Sequence, residues 1–303
     1  MSADGGPRVK SHLDAVAVST LIVCCFVWGL NQVAVKVAND GLQPVFQAGL
    51  RSLLGGVLVF GWCRVRRIPL FERDGTMAAG LIAGVLFAAE FIFGFIGLDF
   101  TTVSRGIVFF YTMPLIVAVG AHLFIPGERL TLAKTAGLVA AFAGVVIVAA
   151  DRLSLPSPRA LIGDALCFGG AVAWAATTLV IKRTRLATAS AEKVLVYQLA
   201  VSTVVLFAVA PFYGPFVRSF DGLAAAALAY QVVFVVAGSY LAWFWLLGRY
   251  PASQLSSFTF LTPIFAVALG WLLLRDPVSP WLFLALALVA FGIYLANRSA
   301  EPA

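Results

Sequence analysis

The sequence predicts an all-α polytopic membrane protein, with ten transmembrane helices built as two inverted-topology five-helix repeats. Three observations predict it: the composition, ten long apolar runs, and an internal repeat that keeps register across the chain. Of 303 residues, 61% are hydrophobic and 12% charged, against about 45–50% apolar and about 25% charged in a soluble domain. The formal net charge is +7. Its basic residues cluster in short loops between apolar runs, which excludes a nucleic-acid surface.

A bilayer span needs about 20 mostly apolar residues. Such runs cover roughly 14–36, 44–63, 76–98, 101–124, 131–150, 160–182, 191–211, 221–247, 252–274 and 279–297. Polar, Gly- or Pro-containing segments separate them, among them "NDGLQP", "RVRRIPLFERDG", "DRLSLPSPR" and "LRDPVSP". Several are a few residues long, so neighbouring helices form antiparallel hairpins. The N-terminal run follows basic residues and has no convincing A-x-A cleavage site, and it reads as an uncleaved first span.

With the N-terminus placed in the cytoplasm, fourteen of the 21 Lys and Arg fall on inner segments and six on outer ends, Arg51 lying within a span. Both termini are therefore expected inside. Cys24, Cys25, Cys63 and Cys167 lie in apolar runs without CxxC or metal spacing and read as small packing residues. No metal or cofactor is expected.

The repeat pairs "WGLNQVAVK" (Trp28–Lys36) with "WAATTLVIK" (Trp174–Lys182), and "FFYTMPLIVAVG" around Pro114 with "FTFLTPIFAVALG" around Pro263. "GLVAAFAGVVIVA" in the fifth span likewise resembles "ALALVAFGIYLA" in the tenth. Each half has five spans, so the second enters the membrane in the opposite sense. The organisation is a tail over 1–13, a first repeat over 14–150, an outer linker over 151–159, a second repeat over 160–297 and a tail over 298–303. Such repeats pack about a pseudo-two-fold axis and place the substrate site near the midplane, at their interface.

Few charges lie deep. Glu90 interrupts "GVLFAAEFIFGFIG" and Arg51 interrupts the second span. Each costs about 2.5–3.5 kcal/mol at a helix centre, and such residues usually face the bundle interior. At 100° per residue, Ala79, Ala83, Gly94 and Gly97 share the face of Glu90, while Leu81, Val85, Ile92 and Ile96 lie opposite, so Glu90 is expected to point inward. Gln47, Arg51 and Gly55 share a face of the second span; Trp28, Asn31 and Gln32 share one of the first. At 1.5 Å per residue, Arg51 lies about 10 Å and Glu90 about 12 Å below the outer surface. Two readings are open. One is a static Glu90–Arg51 ion pair that fixes packing. The other is function: Glu90 as the proton-coupling candidate, or as the partner of a substrate ammonium with Arg51 taking a carboxylate. Glu90 aligns with Ser239 in the other repeat, and Arg51 with a position near Val201, so the scaffold alone does not require these charges.

The candidate substrate contacts are Trp28, Asn31, Gln32, Gln47, Arg51, Glu90, Tyr111, Trp174 and Tyr240. Tyr197 and Phe260 are further candidate cavity aromatics, with ordinary packing as the competing reading of all the rings. Pro114 and Pro263 each remove a helix hydrogen bond at equivalent mid-span places and are candidate hinges. Ser104 and Ser253, at matching places near the starts of the same spans, read either as substrate contacts or as serines bonded to their own helices.

The motif order over Trp28–Leu58, Tyr111–Val148 and "LTPIFAVALGWLLLRDP" resembles the drug/metabolite transporter superfamily, and within it the ten-helix EamA-type exporters. The resemblance covers about residues 14 to 297 and departs from the family pattern at "LLLRDPVS", where Arg-Asp stands in place of Gly-Glu. It implies a ten-helix bundle around a central cavity and export of amino acids, related metabolites or drugs. The expected function is a secondary transporter of the bacterial inner membrane that exports amino acids or related small metabolites by alternating access. A uniporter or facilitator and a multidrug or organic-cation exporter are the alternatives within the class. A non-transporting receptor or scaffold wants a long soluble domain, and none is read here. An intramembrane protease needs Ser–His, paired aspartates or HExxH within the spans; His122 lies near a span end and no aspartate is at mid-depth. No GxxxxGK[ST] occurs, so ATP is not the expected driving force. The expected partners are a small-molecule substrate, the lipid bilayer and, for coupled transport, protons; monomer and homodimer both stay open.

Overall fold

The computed structural model describes residues 10, 12–101, 103–150, 157–274 and 281–298, and every regular element among them is helical. Most of both tails, most of the 151–159 linker and the "RDPVSP" departure lie outside the described residues. The first repeat contains α1 (Ala15–Gly41), α2 (Pro44–Arg66), α3 (Met77–Phe100), α4 (Val103–Phe110), α5 (Met113–Phe124) and α6 (Leu132–Ala150). The second contains α7 (Pro158–Arg183), α8 (Ala191–Val209), α9 (Gly222–Tyr230), a π-helical segment (Gln231–Tyr240), α10 (Leu241–Leu247), α11 (Ala252–Phe258), α12 (Leu261–Leu274) and α13 (Trp281–Asn297). Among the described residues, nine helical stretches are long and apolar enough to cross a bilayer, and the tenth run, Trp281–Asn297, is shorter.

The helix starts follow from local chemistry. Asp14 accepts from the Ala17 amide at 2.9 Å, Ser157 from Ala160 at 3.1 Å and Asp221 from Ala224 at 2.8 Å, each satisfying an orphan amide of a first turn. Pro44 and Pro158 stand at first-turn positions, where a missing N–H costs nothing.

Three places depart from regular α-helix. The fourth span breaks between α4 and α5 at Tyr111–Thr112, just before Pro114. The ninth breaks between α11 and α12 at Thr259–Phe260, just before Pro263. Proline cannot donate to the preceding turn and its ring crowds the carbonyl four residues back, so each break sits where the sequence requires it. The π-helical segment in the eighth span has no such cause legible in the sequence, and the third span, its repeat counterpart, is α-helical throughout.

The helix contacts obey a two-fold pattern. The first span packs on the ninth, and the sixth on the fourth. The third packs on the sixth, and the eighth on the first; the fifth and tenth pair with one another, as do the second and seventh. These contacts join the halves rather than closing each half on itself. Two of them need glycine. A Cβ on Gly292 would stand 2.5 Å from the Ala141 nitrogen and from the Gly137 oxygen, and one on Gly163 would stand 2.6 Å from the Thr101 nitrogen. Backbone atoms cannot yield as a side chain can, so only glycine allows these close approaches.

Loops 67–76, 125–131, 184–190 and 248–251 lie on one face of the bundle, called the basic face for its Arg and Lys. There Lys193 Nζ pairs with Asp74 Oδ2 at 2.7 Å, and Asp74 Oδ1 accepts from the Thr76 hydroxyl at 2.6 Å. These bonds, the lysine first, hold the Asp74 carboxyl well below the usual carboxylate range. On the opposite face Leu42 bridges Val217, and Gln43 Nε2 donates to the Ala210 carbonyl at 2.6 Å.

Candidate functional site

A cavity of about 170 Å³ lies at the junction of the two repeats. At about 10–15 Å³ per water centre it holds on the order of ten waters, the size of a small metabolite. It is lined by α1, α2, α3 and the broken fourth span of the first repeat, and by α7, α8 and the eighth span of the second. From mid-depth it extends toward the face opposite the basic one, past Val35, Phe95 and Gly106, which lie near the helix ends there.

Both deep charges reach it. Glu90 is 7% and Arg51 2% exposed, and both line the cavity. They form no ion pair within 4 Å among the described residues. Arg51 instead stacks on Phe91, with Cζ 4.2 Å from the ring centroid. Among the described residues, Glu90 Oε2 and Arg51 Nε and Nη2 are buried without a hydrogen-bond partner. An unpaired buried polar atom costs about 1–3 kcal/mol, more when charged. A carboxylate and a guanidinium held to strengthen packing would bridge directly. Here both line one cavity without a direct bridge.

The predicted inward stripe of α3 is observed in the half before Glu90, while beyond it Ile92 and Ile96 are half-buried, as is Gly94. Ala83 is 1% exposed, whereas Leu81 and Val85 on the opposite side are 49% and 53% exposed. Gln47 and Gly55 are buried on the Arg51 face of α2. The position aligned with Glu90 is also central: Ser239 Oγ accepts from Trp28 Nε1 at 2.9 Å and donates to the Val235 carbonyl at 2.7 Å.

Aromatic rings form the rest of the wall. Trp28 makes edge contacts with Trp174 at 6.2 Å, Tyr240 at 6.4 Å and Trp243 at 5.5 Å between centroids. Phe110 tilts over Trp174 at 5.6 Å. The two repeat-equivalent tryptophans therefore meet each other across the interface.

Of the residues singled out in the sequence, Trp28, Asn31, Gln32, Arg51, Glu90, Tyr111, Trp174 and Tyr240 all line the cavity. Gln47 does not; it is fully buried and donates from Nε2 to Gln231 Oε1 at 3.2 Å. Tyr197 is drawn to the basic face, its hydroxyl 3.2 Å from that of Thr76, and Phe260 packs on Phe142. Ser253 is bound by Glu128 outside the cavity, and the side chain of Ser104 lies outside the described residues. Sequence reading passed over Gln198, Thr177 and Phe87, which line the cavity too. Gln198 carried a signal, a polar residue alone in "VLVYQLAV", and its Oε1 is buried without a partner among the described residues. Phe87 carried none, since a phenylalanine in an apolar helix looks the same facing lipid or cavity.

Comparison with known proteins agrees with this architecture. A sequence model described as the EamA-like transporter family matches residues 15–150 and 161–298. An uncharacterized transporter, YvbV, of Bacillus subtilis is 30% identical over 90% of this chain and 89% of its own length. A probable amino-acid metabolite efflux pump of Escherichia coli is 27% identical over 94% of this chain and 95% of its own. An S-adenosylmethionine/S-adenosylhomocysteine transporter of Chlamydia muridarum is 23% identical over 94% of this chain and 92% of its own. A solved crystal structure superposes with a TM-score of 0.81 at 19% identity, over 94% of this chain and 97% of that one, a likeness of fold alone.

Proposed function

This chain belongs to the EamA-like transporter family, and from that premise we propose that it exports amino acids or related dipolar metabolites across the bacterial inner membrane by alternating access. Both termini and the basic face are cytoplasmic in this reading, as the loop charges favour. The observation that carries it is the pair of unbridged, opposite charges in one cavity of metabolite size. Glu90 binds the ammonium of the substrate and Arg51 its carboxylate, while the aromatic wall takes the apolar remainder. Trp28, Trp174, Tyr111 and Tyr240 are the wall residues assigned to this role; Asn31 and Gln32 line its outer part. Gln47, bonded to Gln231 outside the cavity, takes no direct part in this role. The breaks before Pro114 and Pro263 are the hinges about which the repeats rock. Exchange of a proton against substrate at Glu90 supplies the driving force.

The experiment is flux of labelled amino acids into proteoliposomes under an imposed pH gradient. Uptake that follows the gradient in the wild type, and loses that dependence in Glu90→Gln, is the expected result. Counterflow with full pH independence would reject proton coupling and leave a uniporter. A second reading, export of organic cations, is favoured by one observation: Glu90 stands in an aromatic-walled cavity that suits a cation. It parts from the first at Arg51. Arg51→Gln should abolish binding of an amino acid and leave that of an organic cation intact.

A further inference from the structure

The basic face is sealed around one carboxylate that lies outside the cavity. Glu128, in the loop between α5 and α6, is 9% exposed, and its side chain reaches into the other repeat. Its Oε1 accepts from the Ala252 amide at 2.7 Å. Its Oε2 accepts from the Ser253 amide at 3.0 Å and from the Ser253 hydroxyl at 2.5 Å. Lys134 Nζ, from α6, donates to Ser253 Oγ at 2.6 Å. Lys182 Nζ, from the end of α7, donates to the Tyr250 carbonyl at 2.7 Å. The Tyr250 hydroxyl donates to Asp14 Oδ2 at 2.8 Å. The segment from Tyr250 to Ser253 is thus held from three sides. Beyond it Ser256, Ser257 and Phe260 are fully buried, and the cavity begins above Trp243, 3% exposed.

Three features separate this cluster from an ordinary helix cap. First, the bonds of Glu128 and Lys134 cross from one repeat to the other, so a rocking of the halves cannot leave them intact. Second, the segment they hold leads into α11, a seven-residue helix that the Thr259–Phe260 break divides from α12. It can move as a short lever without unwinding the span. Third, every bond that a release would break is a polar one at the aqueous end, so water replaces the broken bonds. A seal of aromatic residues would offer no such replacement.

We propose that Glu128, with Lys134 and Lys182, is the latch that closes the basic-face gate, and that its release from Ala252 and Ser253 admits substrate from that side. The proposal rests on the alternating-access reading above. Its test needs no substrate, so the two fail separately. In a background with all four cysteines replaced, Ser256→Cys reports access from the basic face and Gln32→Cys reports access from the opposite face. A membrane-impermeant maleimide is applied to vesicles of each sidedness. Glu128→Gln keeps the shape and removes the charge; Ser253→Ala removes the hydroxyl that Glu128 and Lys134 share. In both, Ser256→Cys should label about tenfold faster and Gln32→Cys correspondingly slower, the reciprocal shift of a two-state gate. Faster labelling at both positions would mean general loosening and overturn the latch. So would unchanged labelling at Ser256→Cys in either variant that purifies as a folded, monodisperse protein.

Discussion

Glu90→Gln tests the chemistry of the cavity most directly, because it should move affinity and stability in opposite directions. The substitution keeps the shape of a side chain that is 7% exposed and removes its charge. Among the described residues Oε2 has no hydrogen-bond partner, so no bond it makes to them is lost with the charge. The empty protein is relieved of an uncompensated buried carboxylate, and its thermal stability should hold or rise. Binding should weaken. A charge-assisted hydrogen bond from a substrate ammonium is worth about 1.5–3 kcal/mol. At about 1.4 kcal/mol per tenfold, the Kd of an amino acid should rise by about tenfold to about 140-fold. The assay is a ligand titration followed by thermal shift on purified protein, run with an amino acid and its des-amino analogue. The des-amino compound has no ammonium to lose and should bind wild type and variant alike. An unchanged Kd for the amino acid would refute the assignment of Glu90. Equal losses for both ligands would refute it too, because they would signal a damaged cavity rather than a missing charge.

Two further outcomes follow from the breaks and the loops. Pro114→Ala should let the fourth span close toward a continuous helix, lowering turnover about tenfold, or about 1.4 kcal/mol on the opening barrier; Kd measured by equilibrium binding should be unchanged, and a normal turnover would remove Pro114 as a hinge. Asp74→Asn should lower the melting temperature by releasing the 67–76 loop from Lys193. The folded Asp74 carboxyl lies below its unfolded value of about 3.9, so its contribution is present above that pH and is lost only as pH falls through the folded value. The melting difference between wild type and variant should therefore stay constant from pH 8 to 5 in a pH series, and a difference that vanished by pH 6 would contradict this.

The face on which Glu90 and Arg51 lie was legible in the sequence, because helix period and residue size are local properties. Small residues beside Glu90 and large aliphatics opposite already told inside from lipid, and the burial of Ala83 against the exposure of Val85 agrees. The proline breaks were legible for the same reason, since the missing N–H of Pro114 and Pro263 acts on the turn just before it. Gln47 shows where that reasoning ends. It shares the Arg51 face, yet Gln231, 184 positions away, draws it off the cavity. That contact depends on how the eighth span winds, and the π-helical segment there left no mark in the sequence.

Read as a string of residues, the chain already shows a membrane protein's composition, the number and order of the spans, the duplication and the two isolated charges. Each follows from hydropathy, period or similarity along one strand of text. It took the packed helices to show that Glu90 and Arg51 share a cavity without bridging, that Trp28 and Trp174 meet across the interface, and that Glu128 closes on Ala252 and Ser253. The reason is physical. Depth and face place a residue on its own helix, but whether two charges touch depends on the rotation and separation of two helices. Those are set by close approaches such as Gly55 on Val236 and Gly84 on Val201, between residues far apart in the chain.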